Sequence, residues 1–269
     1  MKIALKLAYL GDNYFGFQRQ PSLITIDSEV RKALIRIGVN NGDFCYSGRT
    51  DRGVSALGQV IDFWIDDNKA ALAKPRCVNG RLPRDIWAWA YTAAPLGFSA
   101  RWSALWREYR YILWHEDLDL DLMRDAAELL KGRHDYKNFS SCKQDTVREI
   151  LKLDIEQQND LLIFIVRADG FLWNMVRKIV SSLEIVGSRD KKIDWIQELL
   201  DPAINLGAPT ASPEGLILWD VGYEDIEWQR DEYSRKRAAK SLVAIVRRRI
   251  SSAYVAKAMQ SALDGYQNV

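Results

Sequence analysis

Residues 147–168 read VREILKLDIEQQNDLLIFIVRA. Val147–Gln157 and Leu161–Ala168 are two strand-like runs rich in Val, Ile, Leu and Phe, and Gln158-Asn159-Asp160 between them is turn chemistry. What flanks this pair sets the fold. Upstream lie a strand, Arg107–Trp114, and a helical stretch, Leu120–Leu130. Downstream lie a helix over Phe171–Val186, another over Ile193–Leu200 and a closing strand over Gly215–Tyr223. Strand, helix, strand, strand, helix, strand is a split β-α-β unit, whose antiparallel strands carry helices on one face.

The beginning of the chain repeats this order. Lys2–Leu10 (KIALKLAYL) is short and alternating, as a strand is. Thr25–Gly38 sets Ile26, Val30, Leu34 and Ile37 at helical spacing, with Asp27 and Glu29 in the first turn and a glycine at the end. Phe44–Ser47 and Gln59–Ile65 read as strands around a glycine-containing loop, residues 68–80 as a weakly patterned helix, and Asp85–Thr92 as a strand. The expectation is an α+β protein of two ferredoxin-like (β-α-β-β-α-β) halves with antiparallel sheets, although no residue-level repeat accompanies the repeated order. The halves are placed at 1–100 and 101–224, divided near Pro95–Ser103. Residues 225–269 form a helical extension, since Trp228–Leu263 holds no Gly or Pro and Leu242, Ile245/Val246, Ile250 and Ala253 recur at helical spacing.

Charge separates this extension from the rest. Residues 228–269 hold nine Lys/Arg and three Asp/Glu, a net of +6, so the remainder of a chain of net +2 carries −4. Such asymmetry points to a polyanion-binding tail. There is no apolar run of about 18 residues, so neither a membrane span nor a signal peptide is expected. Cys45, Cys77 and Cys142 form no CxxC pair, and with only His115 and His134 beside them a zinc site is not expected; reduced thiols in the cytoplasm are. Serine- or cysteine-hydrolase chemistry lacks a base, because neither histidine is near a candidate nucleophile. Dinucleotide and phosphate-loop motifs are missing. Carboxylates, arginines and tyrosines are what remains.

Among these, Ser47-Gly48-Arg49-Thr50-Asp51-Arg52-Gly53 stands out as a tight loop between two apolar strands. Asp51 has Arg49 and Arg52 beside it in sequence, and a cation within a few ångströms keeps a carboxylate ionised even when partly desolvated. A nucleophile or base needs that state. The residues by themselves favour a turn aspartate that accepts from nearby backbone N–H groups.

The segment GRTDRGVSALGQV, beginning at Gly48, resembles the signature of the TruA family of tRNA pseudouridine synthases, in which GRTD carries the catalytic aspartate. Four further segments resemble the family in order: Tyr14–Pro21 (YFGFQRQP); Phe98–Ser103 leading to Arg107-Glu108-Tyr109-Arg110-Tyr111; Gly170-Phe171-Leu172 with Met175-Val176-Arg177; and Pro209-Thr210-Ala211 to Glu214-Gly215-Leu216. Together they span roughly residues 1–224. The resemblance implies two related halves flanking a basic cleft, with Asp51 as catalytic aspartate, Arg49 before it, Tyr109 as active-site tyrosine and Arg177 facing the aspartate. It implies a homodimer that needs neither cofactor nor metal, acting on uridine in the anticodon arm of tRNA, typically at positions 38 to 40. Arg52 stands where many members have alanine, Ser55 where many have histidine, and Trp173-Asn174 where a basic pair is common. These departures bear on the cleft wall and substrate range.

The expected function is therefore isomerisation of uridine to pseudouridine, with Asp51 as nucleophile. The competing reading is a non-catalytic RNA-binding module on the same fold, whose exposed aromatics stack bases. For the tail, Arg247–Arg249 are expected beside the tRNA, with the stripe of Leu242, Val246 and Ile250 packed on the second half or on a partner subunit. A solvated helix face and a dimer contact are the alternatives.

Overall fold

The computed structural model describes residues 1–115, 117–142 and 144–265. Its elements follow in chain order: β1 (Lys2–Tyr9), α1 (Ile26–Arg36), β2 (Cys45–Tyr46), β3 (Ser55–Trp64), α2 (Pro75–Asn79), β4 (Ile86–Ala93), β5 (Ala104–Trp114), α3 (Leu120–Leu129), β6 (Gly132–Asp135), β7 (Val147–Gln158), β8 (Leu161–Ala168), α4 (Met175–Gly187), α5 (Asp194–Leu200), β9 (Leu216–Tyr223), β10 (Gln229–Arg230) and α6 (Glu232–Gly265).

The β-α-β-β-α-β order is present twice. In the first set the strands lie β4-β1-β3-β2, in the second β9-β5-β8-β7, the same 4-1-3-2 arrangement, and within each set neighbours run antiparallel. Nothing in the residue pattern indicates that the sets share one sheet. They do: β3 and β9 pair in parallel through Ser55↔Ile217 and Ala56↔Leu218, giving ten strands in all, with β10 and β6 at its ends. This pairing satisfies an edge that two separate sheets would leave open.

Sequence pattern explains which faces are covered. On β1, Leu5, Leu7 and Tyr9 point to one side, where α1 buries Ile26, Val30 and Leu34. Thr25 caps α1 reciprocally with Ser28, each side chain accepting from the other's backbone N–H at 3.2 and 3.1 Å. In the second set Tyr109, Tyr111, Phe164 and Val166 meet Met123 of α3 and Ile179, Val180 and Leu183 of α4 in the same continuous core. Ala8 alternates with Leu7 and Tyr9 and so faces the other side, where it packs with Trp87 and with Ala238 of α6. On that side too, the buried Lys6 pairs with Asp220 of β9 at 2.5 Å and lies over the rings of Trp89 and Trp228.

Several boundaries differ from expectation. β3 begins at Ser55 rather than Gln59, because its first residues reach back to pair with Tyr9. Residues 67–73 wind as a 3-10 helix and α2 starts only at Pro75, whose fixed φ suits a first helical position. α4 starts at Met175 rather than Phe171, since Asn174 takes a left-handed backbone with φ 65°. β6, with sequence GRHD, has no apolar alternation by which to be recognised. In α6 only Leu242 of the expected stripe packs, and it does so on the first strand set; Val246 and Ile250 are exposed.

Candidate active site

The loop 47–54 that carries Asp51 is held from beneath by buried polar groups. The backbone N–H of Phe17 donates to the Thr50 carbonyl at 2.9 Å, and the Thr50 and Tyr9 hydroxyls share a hydrogen bond of 2.8 Å. Gln59, fully buried on β3, donates to the Gly48 carbonyl at 2.9 Å and accepts from the Ser47 hydroxyl at 2.6 Å. Burial pushes the Tyr9 phenol up to about 12, which keeps it protonated at this junction. Gly53, at φ +83°, turns the chain into β3.

The second strand set grips the same loop. Arg107 of β5 donates to the Ser47 carbonyl at 3.1 Å, to that of Arg101 at 2.7 Å and to that of Asp169 at 3.0 Å. One guanidinium thus ties the Asp51 loop to the connection between the sets and to the segment entering α4.

Asp51 itself faces residues from the second set. Arg177, in the first turn of α4, places Nη1 3.6 Å from an Asp51 carboxylate oxygen. The same side chain donates to the Ala211 carbonyl at 2.6 Å and to Asn174 Oδ1 at 2.9 Å, so its direction is fixed from three sides. Tyr109 stands edge-on to Phe171, ring centres 5.0 Å apart, and is buried on β5. Trp173 lies beside Asp51 with 61% of its surface exposed.

Burial raises the pKa of Asp51 above its ordinary value, and the Arg177 charge and the Trp173 indole N–H oppose that rise only in part. Asp51 is thus a partly buried carboxylate whose salt-bridge partner among the described residues is Arg177. Tyr109 is pushed up by its own burial and then by Tyr9 and Asp51, so its phenol remains a donor.

Arg49 and Arg52 do not provide the countercharge expected from their neighbouring positions. Arg49 is exposed and reaches the Tyr46 hydroxyl at 3.3 Å, while Arg52 lies over the Phe15 ring at 4.5 Å. In a loop of this curvature, adjacent side chains diverge, and the cation that meets Asp51 is more than a hundred residues away in sequence. The sequence assigns no role to Tyr9, Gln59 or Arg107, and marks Trp173 only as a departure from the family pattern at the cleft wall. Arg107 was visible only as the first residue of a motif, and nothing local marks a strand glutamine as a loop support.

All five quoted motifs meet here. Phe17 and Gly16 back Thr50; Arg107 and Tyr109 come from β5; Trp173 and Arg177 precede and open α4; Ala211 anchors Arg177, and a Cβ on Gly53 would lie 3.2 Å from Pro213. Among the described residues no group of three His, Cys, Asp or Glu side chains is placed to hold a metal, and Cys45, Cys77 and Cys142 are free thiols.

Comparison with known proteins places the chain. The sequence model of a family described as tRNA pseudouridine synthase matches residues 126–224, which include Arg177. A tRNA pseudouridine synthase A of Methanothrix thermoacetophila is 60% identical over 259 residues, covering 96% of this chain and 97% of its own. Proteins of the same name from Methanocella arvoryzae and Archaeoglobus fulgidus are 43% and 41% identical, covering 90% and 88% of this chain and 92% and 89% of theirs. Among solved structures, a Cbf5-Nop10-Gar1 complex aligns with a TM-score of 0.37 at 11% identity, over 82% of this chain and 60% of that one. With relatives this similar along nearly the whole length, the chain belongs to the tRNA pseudouridine synthase A (TruA) family.

Proposed function

We propose that Asp51 is the nucleophile with which this family member converts uridine to pseudouridine in tRNA, and that the target lies in the anticodon stem-loop, at positions 38 to 40. The observation that supports this most directly is the 3.6 Å pair between Asp51 and Arg177, formed across the junction of the two strand sets in a partly buried setting.

The reaction breaks the N-glycosidic bond, turns the base and joins the sugar to carbon C5, with no change of oxidation level. It needs a group to receive one fragment and a group to move a proton. A desolvated carboxylate is a strong nucleophile toward C6 of the ring or the sugar carbon, and Arg177 keeps it ionised while fixing its direction. On the C6 route the Asp51–C6 bond formed in the first step breaks after the new bond between C5 and the sugar is in place, and on the sugar route the bond from Asp51 to the sugar carbon breaks as C5 attacks that carbon. The C5 proton is then lost, and N1 gains one. The raised Tyr109 phenol beside Asp51 serves as the donor that orients the ring. A uridine in a stem-loop is stacked and must be flipped out, at roughly a few kcal/mol. The exposed Trp173 ring beside the carboxylate offers a face on which that base can stack. Arg49, exposed at the loop's outer edge, is assigned to a tRNA phosphate, and the site works without metal or cofactor. The reading extends to a cytoplasmic homodimer; no helix among the described residues is long and apolar enough to cross a membrane.

Asp51→Asn tests the assignment against the non-catalytic RNA-binding alternative. The variant is expected to form no pseudouridine in unmodified tRNA while its affinity for tRNA stays within a few-fold, because phosphate contacts from many Lys and Arg residues dominate binding. Turnover above a few per cent of the wild type would falsify the role of Asp51. Absence of pseudouridine with the wild type itself, at normal affinity, would favour the binding module.

A further inference from the structure

The helix α6 is built against its own stability. From Tyr233 to Leu263 it holds eight Lys/Arg and not one Asp or Glu. A solvated helix ordinarily offsets such charge with acidic residues three or four positions away, and like charges at that spacing, as in Lys236 and Lys240, destabilise it. Arg235 pairs with Glu232 at the helix start, and Arg249 pairs with Asp12 of the body. Lys236, Arg237, Lys240, Arg247 and Arg248 are exposed and meet no carboxylate among the described residues.

The course of α6 gives this charge a location. Its approach is fixed where the Asp231 N–H donates to the Trp89 carbonyl at 2.9 Å. Ala238 then packs against Ala8, Leu242 joins the same cluster as Leu10, and Arg249 reaches Asp12. The helix therefore runs along β1 toward the strand's C-terminal end. The Asp51 loop lies at that end: a Cβ on Gly11 would lie 2.3 Å from the Val54 carbonyl, and one on Gly16 would lie 3.1 Å from that of Thr50. Beyond Arg249 the helix continues through Ile250–Gly265, about 24 Å at 1.5 Å per residue, with every side chain through Asp264 exposed. It overhangs the body at the catalytic end. Lys236, Lys240, Arg247 and Tyr254 are 4, 7 and 7 residues apart and share a narrow outward row, because 18 residues make five full turns.

We propose that α6 is a phosphate-binding arm that holds a part of the tRNA outside the stem-loop being modified, through Lys236, Lys240, Arg247 and Arg248, with Tyr254 at the end of the row. The proposal rests on the reading that the chain modifies tRNA. A second copy of the chain fits this surface less well, because two such helices side by side would bring Lys236, Arg237, Lys240, Arg247 and Arg248 against the same five unpaired cations. An RNA stem brings the complementary charge at phosphate spacing along the whole row.

The test uses the full chain with Arg247 and Arg248 replaced together by Gln, which preserves helix propensity and leaves Arg249 on Asp12. Binding is measured at several salt concentrations to a full-length unmodified tRNA and to the isolated stem-loop that receives the modification. For the full tRNA, neutralising two fewer phosphates should flatten the slope of log affinity against log salt by about 2, and KM should rise while kcat at saturating tRNA is unchanged. The stem-loop should bind both proteins alike. An unchanged slope on the full tRNA overturns the proposal, as does an equal loss on the stem-loop. So does dissociation of a wild-type dimer, measured by sedimentation, in the Val246→Ser/Ile250→Ser variant, since a helix covered by a second copy does not lie open to tRNA. Failure of the wild type to make pseudouridine would instead count against the function itself, because the binding slopes are read independently of turnover.

Discussion

At the scale of single residues, burial and one arginine act against each other at Asp51, and under the proposed role this balance bears on both rate and stability. Burial is the larger effect, so the carboxyl protonates at a higher pH in the folded chain than in the unfolded one. The sign follows from that direction: Asp51 favours folding most at pH below its unfolded value, and this contribution is lost as pH rises through the folded pKa. With the ionised form as the proposed nucleophile, activity runs the opposite way, and the rate should fall on acidification at a pH above the usual aspartate range. Arg177→Gln removes the main group holding the pKa down. Its acid limb of kcat/KM should move to still higher pH, and the lost bonds to Ala211 and Asn174 should lower stability by about 1–3 kcal/mol. A pH–rate profile and a denaturant midpoint measure both, and an unmoved acid limb would show that Arg177 does not act on Asp51. The resemblance implied that Arg177 faces Asp51, as it does in the structure, but the sequence did not show that Arg52 turns away from the carboxylate to the Phe15 ring. Side-chain direction in a turn depends on the local φ and ψ, which adjacency in sequence does not report.

At the scale of elements, position is set by close backbone contact more than by pattern. Gly16 is an example: its φ is +88°, and a Cβ there would lie 3.1 Å from the Thr50 carbonyl oxygen and 3.3 Å from the Arg52 nitrogen. The segment 14–17 is thereby a shelf under the Asp51 loop. Gly16→Ala should cost about 1–2 kcal/mol for the left-handed backbone. It should also push the loop and reduce kcat by considerably more than the stability loss accounts for, since a displacement near 1 Å at a reacting group can cost on the order of 100-fold. Denaturant unfolding and single-turnover rates on the purified variant separate the two effects; full turnover would mean the loop does not lean on this shelf. Strands and helices with clean periodicity, such as β8 and α1, were readable to within a residue or two. β6 was not, because GRHD is held by pairing to β7 rather than by its own apolar face, and α4 was read four residues early because Phe171 and Leu172 continue the apolar pattern through the turn at Asn174.

At the scale of the whole molecule, the duplicated order was legible and the joint between its two parts was not, because a parallel contact of two residue pairs leaves no periodic trace. Yet that joint places Asp51 of one set opposite Arg177 and Tyr109 of the other. It is reinforced by Lys6–Asp220, by Arg107 on the Ser47 carbonyl and by the Tyr223 hydroxyl donating to the Ala100 carbonyl at 2.6 Å, while one apolar core runs through both sets. Such coupling predicts that the two sets unfold together. Leu34 in the first and Leu183 in the second are each fully buried, and replacing either by Ala should cost about 2–5 kcal/mol. If the sheet is one cooperative unit, tryptophan fluorescence and far-ultraviolet circular dichroism should give coincident transitions in the wild type, and each variant should shift that single transition as a whole. Two resolved transitions, with Leu34→Ala moving one and Leu183→Ala the other, would show that the halves are independent domains held in register only by their local contacts. The site would then depend on how tightly they close on the substrate, and bound tRNA should merge the two transitions into one.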